Sequence, residues 1–214
     1  MANQCFSSLH LSDRFVRAVQ YAREIHIENR KGTDVPYMAH LLGVTSLVMG
    51  ECGYVEFPIT EDTAIAALLH DAAEDWGGRA RLHDIEQMFG SEVARHVEGC
   101  TDTFQDPKPE WKLRKQEYLN KLPNEPPATR LISAADKLYN ARAILEDFRC
   151  VKHEVWKRFK RGPEDQIWYF KELVRIFQET GSNRIVNELS RVVQRLEEEL
   201  RNCLPPQSFE AHSR

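Results

Sequence analysis

Apolar residues recur along this chain at the three-to-four-residue spacing of amphipathic helices, and no β-branched stretch bounded by hairpin turns alternates with the period of a strand. Ser12 and Asp13 open the first segment, in which Phe15, Val16, Val19, Ala22 and Ile25 recur at helical spacing, and it ends near His26. The polar run Glu28-Asn29-Arg30-Lys31-Gly32-Thr33-Asp34 breaks the pattern and is predicted to be a loop. Pro36 then suits the first turn of a helix reaching about Cys52-Gly53. Thr60, followed by Glu61 and Asp62 at the positive end of the helix dipole, starts a helix that runs through Asp75 until Trp76-Gly77-Gly78 stops it.

Shorter helices are expected around Asp84 to Phe89 and from Ser91 to about Cys100, divided by the terminator Gly90, and Thr101 to Pro109 reads as loop. Trp111 to Leu122 and Ala128 to Phe148 follow, separated by the turn-forming Pro123-Asn124-Glu125-Pro126-Pro127. Val151 to Lys160, Glu164 to Glu179 and Asn183 to Asn202 complete the set, broken at Gly162-Pro163 and Gly181-Ser182. The expected class is all-α, a helical bundle or orthogonal array of about eight to ten helices. One domain over residues 1–204 is expected, with a core at about 12–148 and additional helices at about 151–203. Pro205-Pro206 begins a frayed tail, 205–214.

Composition narrows the class. A length of 214 residues suffices to bury a metal site without disulfide staples. No apolar run approaches the roughly 18 residues of a membrane span, so no membrane partner is expected. Met1-Ala2-Asn3-Gln4-Cys5-Phe6 lacks the features of a secretory signal, and a cytoplasmic location is the expectation. Cys5, Cys52, Cys100, Cys150 and Cys203 are widely spaced, form no C-x-x-C pair, and are expected to be reduced thiols. The net charge of −4 gives no general attraction to nucleic acid, although a small anionic substrate is compatible with it.

The chemistry concentrates in Leu68-Leu69-His70-Asp71-Ala72-Ala73-Glu74-Asp75. On a continuous helix at about 100° per residue, His70, Asp71, Glu74 and Asp75 fall within an arc of roughly 140°. Ile65, Leu68, Leu69, Ala72 and Ala73 occupy the other side. Four ionisable groups on one stripe of an apolar helix are costly to bury unless a metal or counter-charges compensate them. A second His-Asp dipeptide, His83-Asp84, lacks this context and is read as a surface turn near a helix start. Imidazole with carboxylate suits Mn²⁺, Fe²⁺ or Zn²⁺ and calls for further ligands. His40, early in its helix, and Asp136, flanked by alanines in Ala134-Ala135-Asp136-Lys137, are the candidates. Asn140 shares a face with Asp136 at helical spacing, and Arg30-Lys31 offers a cationic lip for phosphate.

These segments occur in a telling order: His26, Arg30-Lys31-Gly32, Pro36-Tyr37 and His40, then Leu68-Leu69-His70-Asp71 with Glu74-Asp75, then Phe89-Gly90 and Thr101, then Ala135-Asp136-Lys137-Leu138-Tyr139-Asn140. From about Phe15 to Phe148 the chain resembles the HD-type hydrolase domain of Rel/SpoT homologues, and in size their small stand-alone alarmone hydrolases, including the metazoan SpoT homologues. The resemblance implies a Mn²⁺-dependent pyrophosphohydrolase that removes the 3′-pyrophosphate of guanosine tetra- or pentaphosphate, with Fe²⁺, Zn²⁺ or Mg²⁺ as other possible ions. It implies that His40, His70, Asp71 and Asp136 hold the metal, that Glu74 and Asp75 are the catalytic acids, and that Arg30, Lys31 and Asn140 contact nucleotide. His26 is read as structural. No room is left for a following synthetase domain, so hydrolysis without synthesis is expected.

Two features depart from the family pattern. The frequent threonine three residues beyond the asparagine is Ala143 here, and the loop Gly32-Thr33-Asp34-Val35 differs from the commonest form, which bears on nucleotide choice. The competing readings are an HD phosphatase acting on another nucleotide and a catalytically silent alarmone-binding protein. The aromatic stretch Glu154 to Gln178, with Trp156, Phe159, Trp168, Tyr169 and Phe170, is expected to pack on the bundle, with self-association into a homo-oligomer as the alternative.

Overall fold

Two of the helix starts nearest the amino terminus are fixed by side chains that satisfy otherwise free N–H groups. Ser12 accepts from the Arg14 N–H at 3.2 Å and caps α1 (Asp13–Ile25). Thr60 and Thr63 form a reciprocal capping box at the start of α3 (Glu61–Leu69). Glu61 also accepts from the Ser12 N–H at 2.6 Å and hydroxyl at 2.8 Å, which ties the two helix starts together. Between them, Pro36 precedes α2 (Tyr37–Met49).

The computed structural model describes residues 8–203. Beyond α3 come α4 (Ala72–Asp75), α5 (Gly78–Phe89), α6 (Ser91–Cys100), α7 (Trp111–Lys121), α8 (Pro127–Val151), α9 (Pro163–Thr180) and α10 (Arg184–Cys203). Turns of 3₁₀ helix occupy Leu122–Asn124 and Lys152–Arg158. Among the described residues the only bridge of β type, Asn29 with Pro36, closes the loop between α1 and α2. The all-α class is as expected; the frayed tail predicted for 205–214 and Cys5 lie outside the described residues.

Three boundaries differ from the periodicity. The helix expected to run from Thr60 through Asp75 breaks at His70-Asp71, where the His70 imidazole takes the carbonyl of Ala67 at 2.8 Å, one turn back. His83-Asp84 sits inside α5 rather than in a turn, because Leu82, Ile85 and Phe89 extend an apolar stripe that draws the helix start back to Gly78. Both residues are exposed, consistent with their having no site role. The helix expected over Val151 to Lys160 is a 3₁₀ segment, since Lys152 takes a left-handed φ of 53° and ends α8.

α3 is the central element, with every residue from Thr63 to Leu69 buried. Its small residues Ala64, Ala66 and Ala67 let α1, α2, α6 and α8 close around it. α8 runs beside α2, α3 and α6 and is backed by α9 and α10. The stripe Ile185, Leu189, Val193, Leu196 and Leu200 seats α10 on this backing. Trp156, Tyr169 and Phe170 are buried, and Phe159 and Trp168 pack against the same core, so the aromatic stretch does pack on the bundle. Cys52, Cys100, Cys150 and Cys203 are free thiols. Among the described residues no helix is long and apolar enough to cross a membrane.

α2 and α8 pack together where Gly43 faces the Tyr139 ring. A Cβ at Gly43 would lie 2.6 Å from Tyr139 Cδ2. Gly43→Ala is therefore expected to destabilise the fold by about 1–3 kcal/mol through overpacking. Urea unfolding of the variant against the wild-type protein measures this.

Candidate metal centre and the cavity beside it

Four side chains from three parts of the chain meet at one point. α2 carries His40 in its first turn, the break between α3 and α4 carries His70 and Asp71, and the middle of α8 carries Asp136. One donor atom from each lies within 4.8 Å of all the others. His40 Nε2 is 3.3 Å from His70 Nε2, 3.3 Å from Asp71 Oδ2 and 3.4 Å from Asp136 Oδ1. His70 Nε2 is 3.1 Å from Asp71 Oδ2 and 3.7 Å from Asp136 Oδ1. Donors held at about 2.0–2.2 Å around one ion are separated by about 3–3.5 Å, and four of these five distances fall in that range.

Surrounding groups orient the donors. A carbonyl only accepts, so the contact from His70 Nδ1 to Ala67 places the proton on Nδ1 and leaves Nε2 free as a donor to an ion. His40 is clasped instead by the ring edges of Tyr37 and Tyr139, at centroid distances of 5.4 and 5.0 Å. The Tyr37 hydroxyl donates to Asp71 Oδ2 at 2.6 Å, and Asn140 Nδ2 donates to Asp136 Oδ1 at 2.5 Å. Lys137 pairs with the other oxygen of Asp136. His26 stays out of the cluster: it is buried, pairs with Glu28 at 3.0 Å and stacks on Tyr37.

The electrostatics call for a cation. Burial pushes the Asp136 carboxyl up, but Lys137 and His70 overcome it and hold the group below the usual carboxylate range. Burial likewise opposes charge on Asp71 and on His70, yet their mutual attraction keeps the carboxyl low and the imidazole high. Within the four residues, positive charge can come only from a proton on an imidazole, and burial disfavours one on His40. Two imidazole nitrogens and two carboxylate oxygens at one buried point fit a borderline divalent ion in its place.

Glu74 and Asp75 do not join this cluster. The expected single arc is split, because after the break α4 turns both acids toward the 101–110 loop, where they line a cleft of about 880 Å³. Lys108 Nζ lies 3.0 Å from Glu74 and 3.2 Å from Asp75, and the Asp102 N–H donates to Glu74 Oε2 at 3.2 Å. Asp102 in turn pairs with Arg114, and with Lys115 at 2.7 Å. Burial, then the charge of Asp102, push the Glu74 carboxyl up to about 7 against the pull of Lys115 and Lys108. Burial and the Asp71 charge raise Asp75 as well.

On the other side of Asp136 a cavity of about 300 Å³ is lined by Arg30, Lys31 and Asn140. Arg30 donates to Asn140 Oδ1 at 2.9 Å and lies 5.1 Å above the Tyr139 ring. Gly32, with φ 71°, lets the backbone of this loop lie against Arg158, whose Cγ is 2.7 Å from where a Cβ would stand. All three expected nucleotide contacts therefore face one space. Tyr37 and Lys137 stand in the sequence motifs but carried no assigned role. Asp102, Lys108, Arg114 and Lys115 fall in and just beyond a segment that gave no signal but its polarity.

Two outcomes are expected. Asp71→Ala should weaken divalent-ion binding by more than about 100-fold, beyond the usual loss for a supporting residue, as measured by calorimetry. The second concerns pH. Because Glu74 binds its proton up to about 7 in the fold and only to about 4.5 when unfolded, its contribution to stability is full below pH 4.5 and lost as pH rises through 7. Metal-free Glu74→Gln should accordingly gain stability relative to the wild-type protein between pH 5 and 8, as read by thermal melts.

Comparisons with known proteins agree with this geometry. Residues 18–161 match the family described as HD domain. The chain is 35% identical over 179 residues to the guanosine-3′,5′-bis(diphosphate) 3′-pyrophosphohydrolase MESH1 of Homo sapiens, across 82% of this chain and 89% of that one. The protein of the same name from Drosophila melanogaster is 33% identical over 136 residues, covering 62% of this chain and 70% of its own. A solved structure, described as a metazoan ortholog of SpoT that hydrolyzes ppGpp and plays a role in starvation responses, superposes with a TM-score of 0.68 at 26% identity, over 89% of this chain and 98% of that chain.

Proposed function

The chain belongs to the HD-domain family, and on that premise we propose that it is a divalent-metal-dependent pyrophosphohydrolase acting on guanosine 3′,5′-bis(diphosphate). The observation that carries this reading is the meeting of His40, His70, Asp71 and Asp136 with an acid pair one turn beyond, in a chain spanning 89% of a relative named for that activity. We assign Mn²⁺ to the site, since mixed imidazole and carboxylate donors suit it; Fe²⁺, Zn²⁺ or Mg²⁺ are the alternatives. When bound, the ion lowers the pKa of water and polarises a phosphoryl oxygen.

The residues do the rest. Glu74 and Asp75 take the proton of the attacking water, whose oxygen bonds to the phosphorus on the ribose 3′-oxygen. The 3′-oxygen–phosphorus bond breaks, pyrophosphate departs, and the 3′-oxygen is protonated. A carboxyl near neutrality, as at Glu74, matches a proton acceptor working near pH 7. Lys108 holds both acids in place from the opposite wall. Arg30, Lys31 and Asn140 bind the nucleotide, and the Arg30 plane over Tyr139 is set to stack on a base. The described helices act as one domain in this reading, and every residue it uses lies on one chain, so neither a second copy nor nucleic acid is required.

Purified protein with Mn²⁺ is expected to release pyrophosphate from guanosine tetraphosphate, and Glu74→Gln to lower kcat by about 10²–10⁴-fold while retaining the metal. Release of orthophosphate alone across a nucleotide panel would assign the site to a different phosphohydrolase. Tight binding without turnover in the metal-loaded protein would make it a nucleotide-binding protein instead.

A further inference from the structure

The loop departure at Gly32-Thr33-Asp34-Val35 has a counterpart in a segment outside the motifs. This turn bonds back on itself. The Arg30 N–H donates to the Val35 carbonyl at 2.8 Å, the Thr33 N–H and hydroxyl both donate to the Arg30 carbonyl, and the Val35 N–H donates to the Thr33 hydroxyl. Among the described residues, 31–35 make no hydrogen bond or ion pair beyond this loop, and they are largely exposed. Neither hydrogen bonding nor burial therefore fixes where the tip, with Lys31, points.

Arg158 supplies that support. Its stem lies against Gly32, where an added Cβ would meet Arg158 Cγ at 2.7 Å, Cδ at 2.8 Å and Nε at 3.1 Å, so at this φ of 71° only glycine accepts the contact. The guanidinium continues outward to pair with Asp147 on α8. Asp147 stands two turns beyond Asn140 on the same face of that helix, about 10 Å along its axis. α8 thus holds the loop at two points, directly through Asn140 to Arg30 at 2.9 Å, and through Asp147 and Arg158 at Gly32. Lys31 lies between the two and lines the cavity.

The 3₁₀ segment that carries Arg158 is itself anchored. Val155 and Trp156 are buried, the Trp156 ring lies 6.2 Å from Phe148 and 6.0 Å from Phe159, and Phe159 lines the cavity. Arginine suits such a brace, because its apolar stem packs while a guanidinium that stays charged holds the far end. A partly exposed ion pair adds little to stability, and the Arg158 and Asp147 side chains keep 21% and 38% of their surface in contact with solvent. Its effect is on position.

We propose that Arg158 is a positioning residue for the nucleotide, bracing the Arg30-Lys31-Gly32 turn on α8 so that the Lys31 ammonium stays aimed into the cavity. This rests on the function proposed above, and it gives the departure at Gly32 and the segment beyond α8 one shared role. Arg158 does not line the cavity and acts through Lys31.

The test is a double-mutant cycle on the Mn²⁺-loaded protein, read as KM and kcat for guanosine tetraphosphate and as calorimetric affinity for GDP. Arg158→Ala is expected to raise KM and weaken GDP binding about tenfold, the cost of ordering a freed side chain and turn, while kcat stays within about twofold. Arg158→Lys, which keeps stem and charge, should recover most of the affinity. Asp147→Asn, remote from the cavity, should act in the same direction at about threefold. In a Lys31→Ala background, Arg158→Ala should change affinity by less than about twofold, because residues that act as a unit are not additive. Additive losses, an unchanged affinity in Arg158→Ala or Asp147→Asn, no recovery in Arg158→Lys, or a fall confined to kcat overturns the brace. So does an Arg158→Ala protein that fails to fold, which marks a structural residue. GDP binding needs no turnover. Affinity shifts without hydrolysis refute only the proposed activity, hydrolysis with unshifted affinity refutes only the brace, and a wild-type protein that binds no GDP refutes both.

Discussion

Two carboxylates, Asp71 and Asp136, are brought from separate helices to within hydrogen-bonding range of the same two imidazoles, and much of the architecture follows from making that tolerable. Desolvating two like charges at one point costs several kcal/mol per ion unless positive charge sits between or beside them. Lys137 supplies part of it from outside, and the Tyr37 hydroxyl and Asn140 add hydrogen bonds to the two carboxylates. The inner share falls to whatever lies among the four donors, which is the physical basis for reading the cluster as a metal centre. The break of the helix at His70-Asp71 serves the same end, because it lets adjacent residues aim Nε2 and Oδ2 at one point 3.1 Å apart.

α8 carries the consequences outward. Asp136 faces the cluster, Lys137 and Asn140 border the cavity, and Tyr139 edges onto His40 while supporting Arg30. The position of α8 is held from behind by α10 and α9 and from the front by α2, where Gly43 gives the Tyr139 ring its space. The helices beyond Phe148 are thereby joined to the site: Arg158 lies against Gly32 in the loop of Arg30 and Lys31, and α9 presents Tyr169.

The surroundings of the cluster are polarised. On one side Glu74, Asp75, Asp102 and Asp106 face a polar cleft with Lys108 as the bridging cation. On the other, Arg30, Lys31, Lys115 and Lys137 face a smaller cavity without a carboxylate. A net charge of −4 conceals this division, since steering of an anionic substrate depends on where charge lies and not on its total. The acidic residues and the cationic ones thus line separate spaces beside the cluster.

The sequence by itself determined the class of fold and most helix positions, because burial of an apolar stripe leaves a period that neighbours in space do not alter: Phe15 to Ile25, Ser91 to Cys100 and Asn183 to Asn202 lie close to where that period places them. The ordered motifs and the family resemblance they carry also named the residues that meet at the cluster, which single residues such as Asp136 would not have done alone. Which way those groups point was decided only in three dimensions. The helix breaks at His70-Asp71 although its periodicity continues to Asp75, and the predicted face is divided, with Glu74 and Asp75 lining a cleft beside a loop. Asp102, Lys108 and Lys115 left no mark in the pattern, because a charge acquires its role from partners distant in the chain, and only the closed fold brings those together.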